Sequence, residues 1–375
     1  LYRYYIDSSG IDRCGQEEKI TEYVVLKRTS YKKIILRRNV KMKKKVLAVL
    51  LSAAMVLSLA ACSSGGGGDD AAADDAATTE EDAGGAEGGS KDYSFQMIVK
   101  SFQSTYWQAA IQGVEQAKAE LGVSVEANGP ANESDIADQV QMLNDAIEKK
   151  PDGIALAACD TNSVIDSLNK ALEAGIPVVC FDTGVDNAPE GSVLATVATD
   201  NVAAGAVAAE NMFPVIEAKV KAATTDAKVR IGEVNQDATA LNIQQRGQGF
   251  IDKMLELCTG AGKKVAVVGN EFYVNATEGA VAEAEAEVII EVGVPAQTTV
   301  DLASTEAQKI MSKDDTIAIF GSNQTTAEGV ITANQTLNKL SSDPEQGIIG
   351  VGFDAGTPQK EAITNGQFIG SVTQS

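Results

Sequence analysis

The chain has 375 residues, 31 Lys/Arg against 52 Asp/Glu, a formal net charge of −21 and no histidine. The missing histidine excludes the Ser-His-Asp and Cys-His catalytic sets and the common zinc sites. The acidic balance disfavours nucleic acid, whose phosphates demand stripes of Lys and Arg. Five cysteines without regular spacing argue against a disulfide framework or a thiolate metal site. No metal or other cofactor is expected.

The basic stretch Met42-Lys43-Lys44-Lys45 is followed by an uncharged run from Val46 to Ala61 and then by Cys62-Ser63-Ser64-Gly65. The apolar run is shorter than the roughly 20 residues a membrane span needs, so it reads as an export signal. Residues 42–61 are expected to be a signal peptide. Leu59-Ala60-Ala61-Cys62 resembles the lipobox of bacterial lipoproteins. That resemblance implies that Cys62 is lipidated and that the protein is held by a lipid anchor at the outer face of the cell membrane. A signal peptide must start a chain, so residues 1–41 are expected to be an untranslated leader. Two AGG codons at Arg37-Arg38 would spell a ribosome-binding sequence just upstream of Met42. Residues 62–92, nearly all Gly, Ala, Ser, Thr, Asp and Glu, should be a self-repelling acidic tether.

The globular body begins near Tyr93 and has about 280 residues, enough for two domains. Tyr93–Lys100 reads as a strand. Trp107, Ile111, Val114 and Leu121 mark one helix face, stopped by Gly122. Val123–Ala127 is a second strand, and Ile136, Val140, Leu143 and Ile147 a second helix. Gly153–Cys159 is a continuous apolar run, as in a strand buried on both faces. A helix through Val164, Leu168 and Leu172 and strands at Ile176–Phe181 and Ser192–Val197 follow. Further on come a helix from about Val202, strand Lys228–Val234, helix Gln244–Leu257, strand Lys263–Val268, strand Thr316–Phe320, helix Thr325–Leu337 and strand Gly347–Phe353. Between residues 275 and 315 the register is unclear; Ala280–Glu287 reads as helix and Val288–Val292 as strand. Alternation of this kind predicts parallel sheets. Cys159 and Cys180 each end an apolar run and are expected to be buried free thiols.

In open parallel sheets, ligands bind beyond the carboxyl ends of the strands. Asp160, Asp182, Asn323 and Asp354 each follow an apolar strand candidate, and Arg246 lies at the start of a helix. Each acidic or amide residue alone reads equally well as a helix N-cap. Four together with an arginine point to a convergent polar site.

Ala198-Thr199-Asp200-Asn201 followed by Gly205, then Gln245-Arg246-Gly247-Gln248-Gly249-Phe250, Gly321-Ser322-Asn323-Gln324 and Val351-Gly352-Phe353-Asp354 occur in this order. From about Tyr93 onward the chain therefore resembles the type 1 periplasmic binding proteins, in the ribose- and galactose-binding group of ABC importer receptors. The resemblance implies two doubly wound parallel-sheet lobes joined by hinge crossings, at 93–198 and 199–373, with residues 374–375 beginning a return crossing. It implies a sugar between the lobes, handed to a permease and an ATPase, and no enzymatic activity; a monomer is expected. Carried over by position, Tyr106 and Trp107 match stacking aromatics. Asp182, Arg246, Asn323 and Asp354 match the hydroxyl-binding set, and Gln374 a hinge-side contact. Asp160 and Tyr273 are weaker candidates, Tyr273 with Phe272 for a third aromatic. Sugar chemistry agrees, since hydroxyls pair with carboxylate, amide and guanidinium groups and C–H faces stack on aromatic rings. Trp107 as plain core is the competing reading.

The sequence also departs from the pattern. Thr183 stands where the ribose binders have a second arginine, and Ser104 where they have an asparagine, which puts ribose itself in doubt. The chain stops where a return to the first lobe should begin, so that lobe is expected to expose apolar surface and a sheet edge. Other readings are a sugar sensor feeding a membrane signalling protein, and a binder of a small polar ligand such as a nucleoside.

Overall fold

A computed structural model describes residues 92–374. The expected leader, the signal peptide, Cys62, residues 62–91 and Ser375 lie outside the described residues. Among the described residues no helix is long and apolar enough to cross a membrane.

Two all-parallel sheets form the body. The first takes β1 (Ser94–Ile98), β2 (Ser124–Asn128), β3 (Gly153–Leu156), β4 (Val178–Phe181) and β5 (Val193–Val197) in the order β2-β1-β3-β4-β5. Its helices are α1 (Thr105–Leu121), α2 (Ile136–Glu148) and α3 (Ile165–Glu173). Leu143 and Ile147 of α2 and Leu168 of α3 bury against Ile98, Ile154, Leu156, Val178 and Cys180. The four-three-four apolar spacing predicted this face of α2. Gln139, buried on the same helix, donates to the Val99 and Ala157 carbonyls and accepts from the Cys159 amide. One side chain thereby ties the carboxyl ends of β1 and β3 together.

The opposite face is thinly covered. Val179 and Phe181 pair in register with Ala195 and Val197 of the edge strand β5. Val197 is 68% exposed and Leu194 66%. The first lobe thus presents an apolar edge to solvent.

After the crossing come α4 (Asn201–Ala222), β6 (Val229–Val234), α5 (Leu241–Gly260), β7 (Val265–Gly269), α6 (Glu271–Ala276), β8 (Val288–Gly293), α7 (Val300–Met311), β9 (Thr316–Gly321), α8 (Gln324–Leu337), β10 (Ile349–Phe353), α9 (Thr357–Thr364) and β11 (Phe368–Val372). The second sheet runs β11-β10-β9-β6-β8-β7. Helices α4 and α5 pack unusually close. A Cβ at Gly205 would fall 2.0 Å from the Arg246 carbonyl oxygen, and one at Gly249 would fall 2.3 Å from that of Val202. Only glycine permits this approach, which accounts for both positions in the motifs above.

Two expectations need correction. Ala280–Glu287 is not a helix; only a single 3₁₀ turn at Glu283–Glu285 forms. Alanine and glutamate alternate there with period two, so a helix would have no apolar stripe to bury. The Val281 amide instead donates to the Val265 carbonyl on β7. Helix α5 also starts earlier than its apolar pattern suggested, at Leu241, so Arg246 stands in its second turn.

Candidate functional site

The carboxyl ends of the two sheets face one another, and the strand-end side chains meet there. Asp182 follows β4 and Asp354 follows β10, each directly after a phenylalanine. Both adopt the left-handed region, with φ of 60° and 64°. That conformation is uncommon for residues other than glycine and costs on the order of 1–3 kcal/mol. Its repetition at equivalent places in both lobes marks the two carboxylates as paired features.

Asp182 Oδ1 accepts from the Tyr106 hydroxyl at 2.8 Å, while Oδ2 accepts from Asn242 Nδ2 at 3.1 Å and from Thr183 Oγ1 at 3.0 Å. Lys100 Nζ lies 3.2 Å from Oδ2. Burial raises the Asp182 carboxyl, but Lys100, the Tyr106 hydroxyl and Arg246 outweigh it, so its pKa falls below the ordinary value. Burial lowers Lys100, yet Asp182, Glu133 and Asp237 overcome this and raise it. The pair is therefore ionised. Asp354 Oδ1 accepts from Gln374 Nε2 at 3.0 Å, and Oδ2 from the Gln324 amide at 3.2 Å. Its pKa is raised, because burial exceeds the opposing pull of Arg246 and Gln374.

Arg246 is 1% exposed. Its Nε and Nη2 donate to Asn201 Oδ1 at 3.2 and 2.8 Å, and Nη1 donates to the Ser322 carbonyl at 2.9 Å. The guanidinium carbon sits 3.7 Å from the centroid of the Phe353 ring, a cation–π arrangement. Asn323 serves twice. Its Oδ1 caps α8 by accepting from the Thr326 amide, and its Nδ2 donates to Gln236 Oε1.

Tyr106, Trp107, Asp182, Arg246, Asn323, Asp354 and Gln374 all border a single cavity of about 30 Å³. Trp107 belongs to the core as well, clustered with Met97, Val99 and Ala157. Its indole Nε1 donates to Glu133 Oε1 at 2.7 Å. Tyr106 meets it edge-to-face at 5.0 Å between centroids.

Two expected site residues lie elsewhere. Asp160 turns back on its own loop and accepts from the Asn162 and Ser163 amides at 2.9 and 2.7 Å, the turn alternative that short acidic side chains favour. Tyr273 is fully buried in the core of the second lobe, and its hydroxyl donates to the Asp237 carbonyl at 2.9 Å. Phe272, 40% exposed, packs edge-to-face on Tyr273 at 5.0 Å between ring centroids.

Lys100, Glu133 and Asn242 line the cavity but were missed in the sequence. Lys100 and Glu133 lie two and five residues beyond β1 and β2; the strand-end rule passed over them because the first predicted strand ran through Lys100 and Glu133 does not directly follow a strand. Asn242, in the first turn of α5, carries no such signal. These residues join the lobes directly. Lys100 Nζ donates to Asn242 Oδ1 at 2.9 Å, and Gln236 Nε2 donates to Glu133 Oε2 at 2.9 Å. Gln324 Nε2 donates to Thr105 Oγ1 at 2.6 Å. Burial raises the Glu133 pKa, opposed by Lys100 and Trp107. Cys159, Cys180 and Cys258 are buried free thiols; burial pushes Cys180 up to about 11 and Cys258 up to about 12.

A family model described as a periplasmic binding protein domain matches residues 95–375. The D-allose-binding periplasmic protein of Escherichia coli is 31% identical over 116 residues, 30% of this chain and 37% of that protein. The ribose import binding protein of Bacillus subtilis is 25% identical over 46% of this chain and 53% of its own length, so the chain spans about half or less of these two relatives. The ribose import binding protein of Salmonella typhimurium is 23% identical over 77% of this chain and 81% of its own. Among solved structures, an ABC transporter solute-binding protein from Agrobacterium vitis with bound D-fucose is 28% identical, with a TM-score of 0.57 over 73% of this chain and 81% of that one. With its two parallel sheets and a polar cavity between their carboxyl ends, the chain belongs to the periplasmic binding protein family.

Proposed function

We propose that this chain is the solute-binding receptor of a sugar ABC importer, capturing a monosaccharide between its lobes and delivering it to a permease driven by an ATPase. The observation that carries this reading is the convergence of Tyr106, Trp107 and Asp182 from one lobe with Arg246, Asn323 and Asp354 from the other on one cavity. These groups are planar hydrogen-bonding partners for hydroxyls, set beside aromatic rings for a C–H face. The relatives support it, since they are named for ribose and allose or hold D-fucose. With about 30 Å³ between the side chains, there is room for roughly one water. A sugar therefore enters as the lobes part, and its hydroxyls replace the bonds that Lys100 and Asn242 make with Asp182. A ligand that bridges both lobes then favours closure.

Isothermal titration of the purified protein against pentoses, hexoses and nucleosides, including D-ribose, D-allose and D-fucose, tests the reading. One-to-one binding of a monosaccharide is expected; binding of a nucleoside alone, or of no sugar, would contradict it. Anchoring through Cys62, read from Leu59-Ala60-Ala61-Cys62, is part of the same proposal. A producing bacterium fed labelled fatty acid should label the wild-type protein and not Cys62→Ala; equal labelling of both would refute the anchor.

A further inference from the structure

The segment between α5 and β8 places β7 at the far edge of the second sheet and then forms the short helix α6. From that edge Tyr273 reaches inward to a buried polar chain that ends at the cavity. Asn235 Nδ2 donates to the Tyr273 hydroxyl and, at 3.3 Å, to the Ile243 carbonyl. Asn235 Oδ1 accepts from Ser322 Oγ, and the Ser322 carbonyl accepts from Arg246 Nη1 at 2.9 Å. Tyr273, Asn235 and Ser322 are all fully buried, so bulk water does not compete for any link.

The same hydroxyl fixes a second element. By donating to the Asp237 carbonyl, Tyr273 holds the loop after β6. Asp237 Oδ1 accepts from the Thr239 and Ala240 amides at 2.9 and 2.8 Å. Gln236 on this loop joins Asn323 to Glu133 of the other lobe. Gly247 leaves the room the chain needs, because a Cβ there would fall 2.2 Å from Asn235 Nδ2 and 2.9 Å from Tyr273 Cε1.

We infer that Tyr273 is a positioning residue, which through Asn235 and Ser322 sets the orientation of Arg246 and, through Asp237, that of Gln236. The inference rests on the sugar-binding reading above only for its effect on affinity. The physical reason lies in the geometry of the guanidinium. Asn201 and Ser322 take one N–H each on Nη2 and Nη1 together with Nε–H, which leaves the second N–H on each Nη for the cavity. Rotating the plane would misdirect both remaining donors. Plain core packing of the ring is the competing explanation, and Tyr273→Phe separates the two because it keeps the ring and removes only the hydroxyl.

Affinity of Tyr273→Phe for the tightest monosaccharide of the panel is expected to fall about tenfold, at a temperature where both proteins are folded. Ser322→Ala should lose a similar amount, and the double variant no more than the worse single, since both break one chain. A role in packing alone would lower the melting temperature and leave affinity within twofold of wild type, which would overturn the inference. A readout without sugar stands beside this. The side-chain Nε–H resonance of Arg246, assigned by its disappearance in Arg246→Lys, should shift and broaden in Tyr273→Phe. An unchanged resonance would overturn the positioning role. Absence of sugar binding by the wild type would instead count against the proposed function.

Discussion

Replacing Arg246 by methionine is expected to weaken sugar binding by about 2–5 kcal/mol, roughly 30-fold to several-thousand-fold. The guanidinium is buried, stays charged, and lies in the field of Asp354 first and then Asp182. Its loss removes the cavity-facing N–H donors and leaves Asp354 without its counter-charge, while Asp182 keeps Lys100. Asp354 responds most, because burial already raises its pKa and Arg246 is the largest influence holding it down. Without Arg246 it rises further, so the carboxyl takes up a proton at a higher pH than in the wild type and then ceases to be a full acceptor for a hydroxyl. The affinity left in Arg246→Met should therefore fall more steeply with decreasing pH than that of wild type. Adding Asp354→Asn should cost less than it does alone, since the two groups share one field. Calorimetric titration at a series of pH values measures both effects. An affinity within threefold of wild type would remove Arg246 from the site.

Glu233→Met is expected to stabilise the protein above neutral pH. Glu233 stands on β6, fully buried, and neither carboxylate oxygen has a hydrogen-bond partner among the described residues. Burial alone raises its pKa well above the ordinary value. The folded protein therefore holds a proton that the unfolded chain releases. Stability from this group is complete below the unfolded pKa and declines as pH rises, by at most about 1.4 kcal/mol per pH unit, until the folded pKa is passed. Methionine fills a similar volume without a polar group to desolvate. The gain in melting temperature should thus be large near pH 8 and shrink towards pH 4.5. A gain independent of pH, or a loss at every pH, would contradict a neutral buried carboxyl.

Much of the fold was legible because buried parallel strands leave continuous apolar runs. Gly153–Cys159 and Thr316–Phe320 are such runs, and strands form within or across them at Gly153–Leu156 and Thr316–Gly321. The failures share a cause. Helix α7 was not foreseen because three of its five buried positions, Ala303, Ser304 and Ala307, are small. Ala280–Glu287 misled because alanine favours helix while the period of the sequence does not. At the site, the strand-end rule brought Asp182, Asn323 and Asp354 into view. It misjudged Asp160, since nothing in the strand preceding an aspartate distinguishes one that reaches a cavity from one that caps its own loop. Tyr273 was read as a ligand contact because an aromatic was sought in that region. Its true partners, Asn235 and Asp237, lie more than thirty residues away in sequence, and pairing over that distance leaves no local pattern.

The central claim is that side chains of both lobes bind one monosaccharide in the cavity they share. A crystal structure of the protein with the tightest sugar of the panel tests it most directly. The account predicts one sugar between the lobes, its hydroxyls within hydrogen-bonding distance of Asp182, Arg246, Asn323 and Asp354, and an aromatic face of Tyr106 or Trp107 against its ring. A sugar bound to one lobe only, or at a place away from these residues, would contradict it.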